Sequence, residues 1–103
     1  MREASFILPL ANNEGKPVRA AHAAVERELA STFGGFSFRP ITGAWQEGGK
    51  LYRDKSREYI VAADWTPALK TKLRLIAEGA GRKAGQLAIY IKDASGNAEI
   101  VSL

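Results

Sequence analysis

The order of hydrophobic periods constrains this chain more than any other feature. Val18, Ala21, His22, Val25, Leu29 and Phe33 recur at intervals of three and four, and so do Leu69, Leu73, Ile76, Ala77 and Ala80. Each set makes one stripe of an amphipathic helix. Around these helices lie stretches of strand character. Ser5 to Leu10 alternates loosely and predicts a first strand. Phe36 to Trp45 is rich in aromatic and β-branched residues, and Tyr52 to Ala63 holds a further strand, clearest at Tyr59-Ile60-Val61-Ala62-Ala63. In Leu87 to Lys92, period-two alternation puts Leu87, Ile89 and Ile91 on one face and Ala88 and Tyr90 on the other. Ala98 to Leu103 is apolar enough for a short last strand, paired within the chain or across a dimer. The resulting order, β-α-β-β-α-β with an optional final strand, predicts an α+β, ferredoxin-like fold, an antiparallel sheet with both helices on one face.

Turn chemistry supports these boundaries. Asn12-Asn13-Glu14-Gly15-Lys16 is a turn cluster, and Pro17 suits the first turn of a helix, where a missing N–H costs nothing. Gly34-Gly35 ends that helix. Pro40 and Gly43 predict an edge strand, or a bulged one, and Gln46 to Lys50 closes a long hairpin. Thr66-Pro67 pairs a capping hydroxyl with proline at the first helical position. Gly79, Gly81 and Gly85 predict a weakened helix exit, while Arg74, Glu78 and Arg82 place opposite charges four residues apart. With 103 residues and no repeat or linker, residues 1–103 read as one domain.

The chain has no cysteine and one histidine. Disulfides and thiolate chemistry are thereby excluded, and a metal site would have to be built mostly from carboxylates, so no metal is expected. Gly79-Ala80-Gly81-Arg82-Lys83-Ala84-Gly85 has the composition of a phosphate loop but sits at the C-terminal end of a helix, the wrong end of its dipole. No cofactor signature remains. No run approaches the ~20 apolar residues of a membrane span, and Ile7-Leu8-Pro9-Leu10-Ala11 is too short and interrupted for a signal-peptide core, so a cytoplasmic protein is expected.

A net charge of +4 and a pI of about 9.6 favour acidic partners. Three functional readings follow. The first is a homodimeric binding module. Ile60, Ala62 and Tyr90, with an aromatic from the Phe36–Trp45 strand, are expected on the sheet face away from the helices, and an apolar open face needs a cover that a second copy supplies. Its candidate ligand cleft is Trp45 with Arg53, Asp54 and Arg57 from the facing hairpin arm. The second reading is nucleic-acid association through Lys50, Arg53, Lys55 and Arg57 of hairpin 50–57, with Tyr52 and Tyr59 interleaved as stacking partners. The third is a small dimeric α+β enzyme with a cleft near Trp45, using Asp54 or His22 as acid or base. Against that, His22 also reads as a histidine at the border of the core with one nitrogen satisfied.

Phe33-Gly34-Gly35-Phe36-Ser37, Gly43-Ala44-Trp45-Gln46, Gly49-Lys50-Leu51, Asp54-Lys55-Ser56 and Tyr59-Ile60-Val61 keep an order of their own, followed by Gln86 before the next strand. In this the stretch from Phe33 to Tyr90 resembles a family of small bacterial domains of unknown function. Arg53-Asp54-Lys55 departs from the glutamate-centred step of that pattern. The resemblance implies a ferredoxin-like fold and carries over no activity.

Overall fold

The computed structural model describes residues 1–103. The elements run β1 (Arg2–Pro9), α1 (Arg19–Phe33), β2 (Ser37–Glu47), β3 (Lys50–Ala63), α2 (Pro67–Lys83), β4 (Ala88–Lys92) and β5 (Ala98–Ser102). The five strands form one sheet in the order β2-β3-β1-β4-β5, every neighbouring pair antiparallel. This is the ferredoxin-like α+β arrangement with an added edge strand. The last strand pairs with β4 of its own chain, Ile89 facing Val101 and Tyr90 facing Ile100.

Both helices pack on one sheet face. Ala4, Phe6 and Leu8 of β1, Tyr59 and Val61 of β3, Ile89 and Ile91 of β4 and Val101 of β5 meet Ala21, Val25 and Leu29 of α1 and Leu73, Ile76, Ala77 and Ala80 of α2. Tyr59 is the largest wholly buried side chain. Its ring lies among Phe6, Phe36 and Phe38 at centroid distances of 5.4, 6.0 and 6.0 Å. Burying each such side chain stabilises the fold by roughly 1.5–3 kcal/mol before the cost of ordering it.

The helix ends show where local chemistry decided the boundaries. Thr66 caps α2, its hydroxyl accepting the Leu69 N–H at 3.2 Å. Gly34 closes α1 in the left-handed conformation. Pro17, however, does not open α1. It sits opposite Ala11 in an isolated bridge, and Val18 precedes the first helical residue. The Asn12 carboxamide accepts the N–H groups of Glu14 and Lys16, each at 3.0 Å, and this tight turn holds Pro17 extended. Nor do Gly79 and Gly81 end α2, which runs on to Lys83. Gly81 is buried, and a Cβ there would come within 2.5 Å of the Leu103 side chain and 3.5 Å of Ile89. The missing side chain lets the chain end and β4 close on the helix.

The face away from the helices is mixed rather than apolar. Ile60 and Tyr90 are half-buried there and Ala62 is exposed, but Ser5, Ser56 and Glu58 are buried among them. Glu58 accepts from Ser5 Oγ at 2.9 Å and from Arg39 Nε at 2.6 Å. Of the β2 aromatics, Phe38 lies opposite Tyr59 on the helix side, whereas Trp45, opposite Tyr52, has the parity of the open face. Leu87 also departs from expectation, being 79% exposed just before β4 begins. The β2–β3 register is continuous from Ser37 opposite Ile60 to Glu47 opposite Lys50, so β2 is an unbulged edge strand despite Pro40 and Gly43.

A polar cleft under the overshooting hairpin

The hairpin is longer than the sheet behind it. β1 pairs with β3 only over Ser56–Ala63, and one further hydrogen bond, Leu10 N–H to the Lys55 carbonyl, extends that contact. From Lys50 to Asp54, β3 has β2 alone as a partner. At the rise of a strand this arm extends roughly 15–20 Å past the sheet. Its helix-side face passes the N-terminal half of α1 and leaves a cleft of about 750 Å³.

Three elements line the cleft. α1 contributes Arg19, His22, Ala23 and Glu26, spaced as one helix face. The end of β1 and its loop contribute Pro9, Leu10, Ala11 and Pro17, and β3 contributes Arg53 to Lys55 and Arg57. Four cationic side chains face two carboxylates there. Arg57 Nη1 donates to Glu26 Oε2 at 2.9 Å, whereas Arg19, Arg53 and Lys55 have no carboxylate within ion-pair distance. Arg57 also lies 4.8 Å from the Phe38 ring centre.

Behind this wall runs a chain of short hydrogen bonds. His22 Nε2 is 2.8 Å from the Pro9 carbonyl oxygen, His22 Nδ1 is 2.7 Å from the Tyr59 hydroxyl, and that hydroxyl is 2.7 Å from Glu26 Oε2. His22 is buried, and burial pushes its pKa below the ordinary value. The Pro9 carbonyl opposes that, Arg57 adds to it, and Glu26 opposes it. Burial, with the neighbouring Glu26, pushes the Tyr59 phenol well above its ordinary range, so it keeps its proton.

Of the residues that the sequence nominated for a ligand cleft, Arg53, Asp54 and Arg57 come together here, and Trp45 does not join them. Alternation places Trp45 on the opposite strand face from Phe38. It stacks on Tyr52 at 5.2 Å and 16°, near the hairpin tip. Of the basic set nominated for nucleic acid, Arg53, Lys55 and Arg57 line the cleft, while Lys50 Nζ lies 5.1 Å above the Tyr52 ring. His22 is satisfied at both nitrogens, not at one. Glu26 is a site residue that the sequence did not nominate, and Tyr59, expected as a stacking partner for nucleic acid, is wholly buried and joins His22 to Glu26 instead. Glu26 lies four residues from His22 on the same helix face, which was the signal available.

No family model and no curated protein matches the chain at the level of sequence. Solved structures match it by fold. A phage SAM lyase in its apo state superposes with a TM-score of 0.74 at 12% identity, covering 98% of this chain and 88% of that one. A phage SAM lyase in complex with S-methyl-5'-thioadenosine gives a TM-score of 0.71 at 14% identity, with the same coverage. At these identities the likeness is one of fold.

Proposed function

We propose that this chain is a small-ligand-binding domain whose cleft between α1 and the hairpin arm takes an organic anion. The observation that supports this is the set of three cations, Arg19, Arg53 and Lys55, that face the cleft without carboxylate partners. Exposed cations beside a helix wall make a field that concentrates carboxylate or phosphate ligands. Because Arg53, Lys55 and Arg57 line one cleft together with residues of α1, a compact ligand is favoured over a nucleic-acid strand. A homodimer remains part of this proposal. Ile7, Tyr90 and Ile100 form a cross-strand row on the open face, with Ile100 74% exposed. Light scattering after size exclusion tests it, and a monomer at high concentration would remove it.

Titration calorimetry with adenosine 5'-monophosphate and with inorganic phosphate tests the ligand class. Binding that weakens with salt and falls at least tenfold in Arg53→Glu is expected. Affinity unchanged by that reversal would refute the reading.

A second reading rests on the fold likeness to phage SAM lyases over nearly the whole chain. S-adenosylmethionine carries a carboxylate that Arg53 suits and a sulfonium that Glu26 suits, although its net positive charge fits a cation-rich cleft less well than an anion does. Incubation with S-adenosylmethionine and chromatography for S-methyl-5'-thioadenosine decides it, and absence of that product under saturating substrate would dismiss it.

A further inference from the structure

The hydrogen-bond chain His22–Tyr59–Glu26 does not close with ordinary protonation states. The Pro9 carbonyl only accepts, so His22 Nε2 carries a proton. If His22 is neutral, Nδ1 is then a bare acceptor. If Glu26 is ionised, its Oε2 is also only an acceptor. Tyr59 has one hydroxyl proton and stands 2.7 Å from both. One of those two contacts would then set lone pair against lone pair at hydrogen-bond distance, in a place where His22 and Tyr59 are closed to water. An unmade hydrogen bond of that kind is costly.

We propose that His22, Tyr59 and Glu26 share one additional proton and form a relay that presents it to the cleft at Glu26. Two arrangements satisfy every contact. In one, Nδ1–H donates to the Tyr59 oxygen and Tyr59 donates to the Glu26 carboxylate. In the other, Glu26 Oε2–H donates to Tyr59 and Tyr59 donates to Nδ1. They interconvert by moving two protons, each along one hydrogen bond: one between Nδ1 and the Tyr59 oxygen, the other between that oxygen and Oε2. No atom or electron is gained or lost. Glu26 is the exit because its side chain is 29% exposed and lines the cleft, whereas His22, though it borders the same cleft, is only 5% exposed and Tyr59 is wholly buried.

The surroundings of the relay act on both arrangements, and the Pro9 carbonyl and the Glu26 carboxylate favour the imidazolium. Arg57, 2.9 Å from Oε2, favours the carboxylate. Burial of the imidazole and the same Arg57 charge disfavour the imidazolium. Arg19 of α1 and Arg53, Asp54 and Lys55 of β3 are the other charged residues lining the cleft at Glu26, Asp54 having the strand parity of the opposite face. The relay gives the cleft a group able to protonate a bound ligand and to recover that proton from within the protein, which is acid–base work. It deepens the ligand-cleft reading, but the proton count is a property of the ligand-free protein.

The test is nuclear magnetic resonance on ligand-free protein labelled with 15N in His22 and 13C in the glutamate carboxyls, with the Glu26 signal assigned through Glu26→Gln. At pH 7 either Nδ1 or the Glu26 carboxyl should resonate as protonated. The two signals should titrate with one common midpoint, and Tyr59→Phe should split it into two. A bare Nδ1 together with an ionised Glu26 at pH 7 would overturn the proposal, as would independent midpoints in the unmodified protein. Should Tyr59→Phe fail to fold, the measurement on unmodified protein alone decides. Failure of organic anions to bind leaves this result untouched, so the two readings fail separately.

Discussion

Replacing Tyr59 with phenylalanine removes one oxygen and leaves the ring among Phe6, Phe36 and Phe38. The loss is therefore polar, and the structure sets its size. His22 Nδ1 forfeits its partner in a residue only 5% exposed, so it is left unsatisfied, at about 1–3 kcal/mol. Glu26 loses one of two donors to Oε2, but Arg57 remains and water reaches the carboxyl, so this part adds at most about 1 kcal/mol. The sum is about 1–4 kcal/mol. For a domain of this size each kcal/mol lowers Tm by about 4–8 °C, so a fall of roughly 5–30 °C is expected. Urea unfolding followed by far-ultraviolet circular dichroism should show a lower midpoint with an unchanged slope, because the area buried does not change. A loss below about 0.5 kcal/mol, the range of an ordinary surface substitution, would refute the placing of this hydroxyl at the junction of a buried chain.

Other expectations follow from single positions. Gly79 lies within α2 with open space where a Cβ would stand, so Gly79→Ala should raise stability by about 0.5–1 kcal/mol in urea melts; Gly81→Ala should gain less, because its methyl group meets Leu103. Burial alone would raise the Glu58 pKa, but hydrogen bonds from Arg39 and Ser5 outweigh it and hold the carboxyl below its ordinary value. The folded state thus binds this proton less readily than the unfolded chain. Its stabilisation is whole above the ordinary glutamate range and is lost as pH falls through the folded value. Urea midpoints measured down to pH 3 should fall less steeply for Glu58→Gln than for the unmodified protein, and equal slopes would refute this. Trp45→Ala should change tryptophan fluorescence strongly while changing the unfolding free energy from urea melts by less than ~1 kcal/mol, since both partners of the Trp45–Tyr52 stack are substantially exposed.

Periodicity made the fold legible. The helix stripes, the hairpin and the Thr66-Pro67 cap all lie where spacing and turn chemistry put them, since each is a local property of consecutive residues. What failed was set by contacts that the helix stripes do not encode. Pro17 is held out of α1 by the local Asn12 turn, and Gly81 lies in α2 beneath the distant Leu103 and Ile89. Half of the candidate site was legible for a similar reason. Arg53, Lys55 and Arg57 alternate, so one strand face had to carry all three. That Trp45 lies apart from them depends on its parity in β2 relative to Phe38, and that parity is fixed by the pairing of Phe38 with Tyr59. The spacing of His22 and Glu26 put them on one helix face, but nothing in the sequence announces that Tyr59, 37 residues beyond His22, joins them in a hydrogen-bond chain.

Alternation along β3 also explains how one strand serves two unlike faces. Arg53, Lys55, Arg57 and Tyr59 point to the helix side, and Ser56, Glu58 and Ile60 to the other. Over Tyr59 to Ala63 the helix side is core, but over Arg53 to Arg57 the same face overshoots α1 and becomes the cleft wall. The change from aromatic to basic residues on that face thus falls where the cover ends. A slip of one residue in the β1–β3 pairing would bury Glu58 among the apolar side chains and turn Tyr59 and Val61 outward. The carboxylate of Glu58, held on the open face by Ser5 and Arg39, opposes that slip, because moving it into the core would strip away both partners at once. The polar pair on the open face therefore fixes the register that aims Tyr59 at His22 and Arg57 at Glu26, and the cleft depends on it although no atom of Glu58 reaches the cleft.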